Sequence, residues 1–242
     1  MRGTTLVIPA WNEPDAIGRL LHEVAPQAVD RVIVVVGSAT DPTGAVAAAR
    51  GAEVLVQRRA GYGAACHTGA AAALDGGASV IAFLDGDYAD PPDALPRILE
   101  PLRADRADLV LGCRDLTVHP HALPYHARLG NAAARALVHL LYGQQFRDLP
   151  SLKAIRADAF STLDMREMTY GWTVEMLVKS VRAGLRIEEV PIAYRPRLGG
   201  RSKVAGSVRG SLGAASCLIG CALRYAAWQP GRVETRAFVR GS

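Results

Sequence analysis

The feature that most restricts the fold is a run of five branched apolar residues, Val32-Ile33-Val34-Val35-Val36. A strand with no polar face must be covered on both sides, as in a sheet flanked by helices on each face. Similar β-rich runs recur at 4–9, 53–57, 79–85 and 108–113. Helical patterns lie between them, near 14–27, 43–50, 62–74 and 92–103. This alternation predicts an α/β fold with a Rossmann-like, mostly parallel sheet. Farther on, the sequence predicts helices at 124–141, 171–183 and 207–228 and strands at 152–156 and 186–192. No low-complexity linker or internal repeat divides the 242 residues, so a single domain is expected.

Ligands of open parallel sheets bind beyond the carboxyl ends of the strands. The first strand runs out in Pro9-Ala-Trp11-Asn12-Glu13 and the fourth in Asp85-Gly86-Asp87. Two carboxylates with a glycine between them can turn toward one point. There they offer hard oxygen ligands to Mg²⁺ or Mn²⁺, which also take substrate phosphate oxygens. The structural alternative is a simple turn, which Asp-Gly also favours.

The net charge is +5, spread over scattered arginines without a dense basic run. Small-molecule or lipid phosphates suit that pattern better than nucleic acid, and the alternative is charge that only aids solubility. Cys66, Cys113, Cys217 and Cys221 have no zinc-type spacing and read as reduced thiols in a cytoplasmic protein. The strand pattern begins at Thr4, which argues against a signal peptide. The uncharged stretch 210–223 is shorter than the ~20 residues a membrane span needs. It reads as a core helix or as a helix lying at a membrane interface.

Asp85-Gly-Asp87 followed by Pro91-Pro92, with Ile8-Pro9-Ala-Trp-Asn12-Glu13 at the start, resembles the family 2 glycosyltransferases of the GT-A fold. Within them the chain is most similar to the dolichyl-phosphate and polyprenyl-phosphate sugar synthases. The resemblance runs from about residue 4 to about 215. It implies a GT-A domain over residues 1–206 and a C-terminal helix and tail over 207–242, at the membrane interface in the interfacial reading. It also implies transfer from a UDP- or GDP-sugar to an acceptor, a polyprenyl phosphate, by metal-assisted inversion at the inner face of the membrane. The alternatives are a soluble acceptor and a non-catalytic nucleotide-binding relative. A nucleotidyltransferase is disfavoured, because no G-x-G-T-R loop follows the first strand.

The resemblance also distributes roles. Pro9, Asn12, Glu13, Asp41, Asp85, Gly86 and Asp87 would border the donor, with Asp85 and Asp87 on the metal. Gly61 and Gly63 open a helix and match a stretch near the nucleotide; glycines there also suit close helix packing. The family's base-side D-D pair is replaced by Val36-Gly37, and its metal-side Gln by Ala89, leaving water or Asp90 as a third ligand. Arg114 and Arg128 match the acceptor-phosphate arginines, and two guanidinium forks can grip one phosphate; surface ion pairs are the structural alternative. Arg197, Ser202 and Lys203 match a basic R-x-x-G-x-S-K loop that closes on phosphate. Asp148 and Glu175 occupy further matched positions, as acceptor-side acids or structural ion pairs.

Overall fold

The structure is a computed structural model that describes residues 3–117, 125–196, 198 and 217–230. Its sheet has the order β3-β2-β1-β4-β6-β5-β7. The strands are β1 (Thr4–Pro9), β2 (Arg31–Val36), β3 (Glu53–Val56), β4 (Val80–Phe83), β5 (Leu109–Asp115), β6 (Lys153–Arg156) and β7 (Ile187–Ala193). All pairings are parallel except those of β6, which runs antiparallel to both β4 and β5. The mostly parallel sheet follows the expectation; the reversed strand is an addition to it.

Alternation along each strand supplies two cores. Val7, Ile33, Val35, Ile81, Phe83, Leu109 and Leu111 face one side. Leu6, Ile8, Val34, Val36, Val80, Ala82 and Val110 face the other. On the first side lie α3 (Tyr62–Asp75), α5 (Tyr125–Tyr142), α6 (Ala157–Leu163), α7 (Trp172–Arg182) and the helical residues 217–224. On the second lie α1 (Pro14–Glu23), α2 (Pro42–Ala49) and α4 (Leu95–Arg103). Short α6 falls where no helix was expected. Residues 217–224 bury Cys221 and Ala222 in the same core as α7, and Tyr225 and Trp228 follow them inside. No helix among the described residues is long and apolar enough to cross a membrane.

β6 matters for what gathers at the rim. Lys153, its first residue, pairs with Phe83 at the end of β4 and with Leu111 in β5. The segment entering β6 is therefore brought to the edge where the parallel strands end.

Helix α3 is rich in Ala and Gly and lies hard against the sheet. A Cβ on Gly69 would sit 2.3 Å from Val7 Cγ1 and 3.1 Å from Val35 Cγ2. Gly69→Val should force the helix away from β1 and β2 and lower stability by about 1–3 kcal/mol, as overpacked cores do. The midpoint of urea unfolding reads this; an unchanged midpoint would mean that α3 can lift off the sheet without cost.

Candidate active site at the carboxyl rim of the sheet

The exits of β1 and β4 are stitched together. Gly86 N–H donates to Pro9 O at 3.2 Å, and Ala10 N–H donates to Val35 O at 2.9 Å. A Cβ on Gly86 would lie 2.7 Å from Ala10 Cβ, so this approach admits only glycine. Asn12 then takes a left-handed turn at φ 55°, a conformation Asn tolerates. One carboxylate fixes that turn. Asp41 accepts Asn12 N–H at 3.0 Å through Oδ2 and caps α2 by accepting Thr43 N–H at 3.0 Å through Oδ1. Glu13 N–H donates to Thr43 Oγ1 at 2.8 Å. Beside the turn, the exposed Trp11 indole lies against Gly37, where a Cβ would come within 3.1 Å of it. The indole thus lies against the second position of the Val36-Gly37 pair that replaces the family's two aspartates.

Asp85 and Asp87 occupy the loop after β4. Asp87 is buried and accepts Ala89 N–H at 2.9 Å. Asp85 Oδ1 is buried with no hydrogen-bond partner. Burial, reinforced by the charges of Asp87 and Asp90, pushes the Asp85 carboxyl up to about 7. The Tyr62 phenol is pushed far up by its burial and then by the Asp85 charge. Asp90 turns toward β6, where Oδ2 accepts Ser151 Oγ–H and Leu152 N–H; burial lifts it to about 6 against the pull of Ser151 and Arg114. Lys153 lies fully buried below, donating to Pro150 O at 2.9 Å and Thr173 Oγ1 at 2.8 Å. Burial lowers its ammonium to about 8, opposed by the charges of Cys66, Asp85 and Asp90.

These donors suit a hard cation that brings other ligands with it. Among the described residues no group of His, Cys, Asp and Glu forms a metal cage. Asp85 and Asp87 offer two carboxylates, one with an orphaned buried oxygen. Asp90 is tied to β6 through Oδ2, while its Oδ1, like that of Asp85, is buried with no hydrogen-bond partner, which leaves Asp90 or water as the third ligand. Water and phosphate oxygens complete such a shell for Mg²⁺ or Mn²⁺.

On the other side of β6, Arg114 grips Asp148 through Nε and Nη2, each at 2.6 Å. Asn131 of α5 adds a bond to Asp148 Oδ1 at 2.7 Å. Burial would raise the Asp148 carboxyl, but the guanidinium more than offsets it and holds it low. Arg114 also lies 5.3 Å from the Tyr194 ring centroid. Arg128 is exposed on α5, one turn ahead of Asn131.

Glu175 lies inside the molecule, with no solvent exposure. It pairs with Lys179 at 2.7 Å and accepts the backbone N–H groups of Arg166 and Glu167. That fixes the 164–170 loop, whose backbone closes on α3: Ala64 N–H donates to Met168 O at 3.0 Å. A Cβ on Gly61 or Gly63 would meet Met168 O at 2.1 Å or Glu167 O at 2.3 Å. Close chain approach thus accounts for both glycines. Arg197, Ser202 and Lys203 lie outside the described residues. Their neighbour Arg195 is held by Glu23 and Tyr88, and its N–H donates to Ala89 O at 2.9 Å. Leu198 N–H reaches Asp87 O at 3.4 Å.

The sequence reading passed over Trp11, Tyr88, Lys153 and Arg195 as site residues. Lys153 carried a signal: a lysine inside an apolar strand pattern needs buried acceptors. An open depression of about 470 Å³ lies elsewhere, at the amino ends of β2 and β3, lined by Leu21, Val24, Asp30 and Arg31. It shares no residue with the rim.

A sequence profile described as "Glycosyl transferase family 2" matches residues 5–163. An uncharacterized glycosyltransferase of Mycobacterium tuberculosis is 35% identical over 208 residues, spanning 86% of this chain and 92% of that protein. An undecaprenyl-phosphate mannosyltransferase of Micrococcus luteus is 32% identical, over 84% of this chain and 88% of the relative. A dolichyl-phosphate hexose transferase of Haloferax volcanii is 33% identical, over 80% and 83%. Among solved structures, glucosyl-3-phosphoglycerate synthase from Mycobacterium tuberculosis, in complex with Mn²⁺, UDP-glucose and phosphoglyceric acid, superposes with a TM-score of 0.77. That match covers 95% of this chain and 82% of the other at 22% identity, and shows the shared fold.

The raised carboxyls have a measurable sign. Asp85 and Asp90 titrate at about 7 and about 6 in the fold, against roughly 4 when unfolded. Between those values the folded chain binds more protons than the unfolded one, so these groups make stability fall as pH rises from about 4 to about 7. Above about 7 their contribution is flat. Thermal unfolding of metal-free protein should therefore lose more stability between about pH 5 and 7 than Asp90→Asn does. Equal losses would mean that Asp90 ionises as freely in the fold as in the unfolded chain.

Proposed function

Since the chain belongs to glycosyl transferase family 2, we propose that it carries a sugar from a nucleotide-sugar donor to a polyprenyl phosphate. The observation that supports this most is the rim pair Asp85 and Asp87, with one buried oxygen lacking any partner. The names of the Micrococcus and Haloferax relatives support a lipid-phosphate acceptor. A soluble phosphate acceptor is the second reading, favoured by the phosphoglyceric acid in the neighbouring fold. In both, the acceptor is an anionic phosphate compound.

The donor lies across the exits of β1 and β4. Pro9, Asn12 and Glu13 shape its nucleoside side, Asp41 holds that turn, and Gly86 keeps the two exits close. Gly61 and Gly63 bring α3 up to the same wall. Trp11 offers its exposed indole as a stacking face for the base, in place of the absent base-side acid. Mg²⁺ or Mn²⁺ held by Asp85 and Asp87 would neutralise charge on the leaving diphosphate.

Arg128 and the uncommitted N–H groups of Arg114 hold the acceptor phosphate. Asp148 aims the Arg114 fork, and Glu175 sets the 164–170 loop beneath α3; both act as positioning residues. Arg197, Ser202 and Lys203 contact phosphate on the evidence of their sequence pattern. An acceptor oxygen attacks the anomeric carbon, and the bond to the diphosphate oxygen breaks. Its electron pair leaves with the nucleoside diphosphate, and because attack is in line, from the face opposite the leaving oxygen, the anomeric centre inverts. A lipid phosphate is already anionic at neutral pH, which removes the need for a general base. Residues 1–206 form the transferase domain and 207–242 the C-terminal helix and tail. The enzyme acts from the cytoplasm at the inner membrane face.

UDP-, GDP- and dTDP-sugars with Mn²⁺, with and without a short polyprenyl phosphate, test this reading. At least one donor should be consumed faster with the lipid, and Asp87→Ala should abolish metal-dependent turnover. Acceleration by phosphoglycerate and none by lipid would favour the soluble acceptor. Tight UDP or GDP binding without consumption of any donor would make the protein a non-catalytic relative. For the base platform, Trp11→Ala should raise the donor KM roughly 5- to 100-fold, as loss of one stacked base does, with a smaller change in kcat. An unchanged KM would remove Trp11 from the donor site.

A further inference from the structure

Tyr88 has a backbone that a bulky side chain rarely accepts. Its φ is 64°, in the left-handed region where Gly and Asn are at home and a tyrosine is an outlier. Such a conformation persists only where the surroundings enforce it, and it gathers at functional sites. Here it falls one residue past Asp87. The Asp87 carboxylate accepts Ala89 N–H through Oδ1 at 2.9 Å, which closes a small ring with Tyr88 in its middle. The direction of the carboxylate thus depends on the turn at Tyr88.

The side chain supplies the enforcement. Tyr88 is 5% exposed and belongs to the core shared with α1 and α4. Its hydroxyl donates to Glu23 Oε1, at the end of α1, and accepts Arg195 Nη1–H at 2.9 Å. Arg195 also reaches Glu23 Oε2 at 3.2 Å. The guanidinium carbons of Arg19 and Arg195 lie 5.1 Å and 5.3 Å from the ring centroid. The main chain closes the same arrangement, because Arg195 N–H donates to Ala89 O at 2.9 Å. One phenol is therefore held from α1 and from the exit of β7 together. A tyrosine kept only for packing would not need the left-handed backbone, since a residue of ordinary φ fills a core as well.

We infer that Tyr88 is a positioning residue for the metal pair: Glu23 and Arg195 hold its phenol, the held phenol keeps the turn left-handed, and the turn aims Asp87 at the cation. This rests on the proposed role of Asp87 as a metal ligand, and the experiment below separates the two.

Mn²⁺ affinity in the presence of excess UDP or GDP, read by electron paramagnetic resonance, tests this without turnover. Tyr88→Ala keeps a Cβ but loses the hold. It should bind Mn²⁺ roughly 10- to 100-fold more weakly than the unaltered protein, as loss of an outer partner of a metal ligand does. Tyr88→Gly loses as much packing yet adopts the left-handed turn freely. It should bind roughly 5- to 30-fold more tightly than Tyr88→Ala, the factor that a left-handed turn costs a residue with a Cβ. A packing role predicts no such order, because Gly fills the space no better than Ala. Tyr88→Phe keeps the ring in the core and loses only the hydroxyl contacts, which covers the case in which the truncated variants do not fold. It should weaken Mn²⁺ binding by about threefold or more, as loss of a hydrogen-bonded anchor does. Equal affinities of the Gly and Ala variants, or an unchanged affinity in Tyr88→Phe, overturn the inference and leave the metal pair in place. No Mn²⁺ binding by the unaltered protein, or binding that survives Asp87→Ala, overturns the metal assignment and this inference with it.

Discussion

A lysine ammonium with no access to water sits at the seam between β4 and the reversed strand β6, and the rim is built around it. Burying a cation is costly unless acceptors and counter-charges surround it. Pro150 O and Thr173 Oγ1 take its hydrogen bonds, and the fields of Asp85 and Asp90 act on it. The same positive charge makes it less costly to crowd Asp85, Asp87 and Asp90 into one short loop. Without it, carboxylates so near each other and so poorly hydrated would favour their neutral forms. Even with it, burial and mutual repulsion leave Asp85 titrating near 7.

The reversed strand explains how these groups meet. A parallel strand in its place would start at the opposite edge of the sheet. Running backward, β6 begins beside the end of β4, so the segment leading into it arrives at the rim. That segment brings Asp148 to Arg114 and Ser151 to Asp90. One change of strand direction thus joins the acid-rich loop of β4 to the arginine at the end of β5.

Much of this was legible in the sequence, and the limits are physical. Strands without a polar face announced the two-sided sheet, and the residues after Ile8 and Leu84 fell at its rim as the topology requires. Periodicity carries no direction, so nothing in Lys153-Ala-Ile-Arg156 revealed that β6 is antiparallel. Seven residues of α6 are too few to show a helical repeat. The ties of Asp90 Oδ2 to Ser151 and Leu152 were hidden because those partners lie some sixty positions away. Glu175 was visible as an acid on an apolar helix, but its destination depended on a loop that folds back beneath it. The tie from Trp11 to Gly37 needed both strand exits in space before it could be seen.

The contact between α3 and the 164–170 loop has an evolutionary consequence. It is made by carbonyl oxygens of the main chain on one side and by hydrogen in place of a side chain on the other. The two partners are therefore under unequal selection. Position 168 can drift among many residue types, because each supplies the same carbonyl. Positions 61 and 63 cannot, because a branch at either α-carbon would collide with the main-chain carbonyl of 168 or of 167. Divergent descendants of this chain should show variety at the one place and none at the other two.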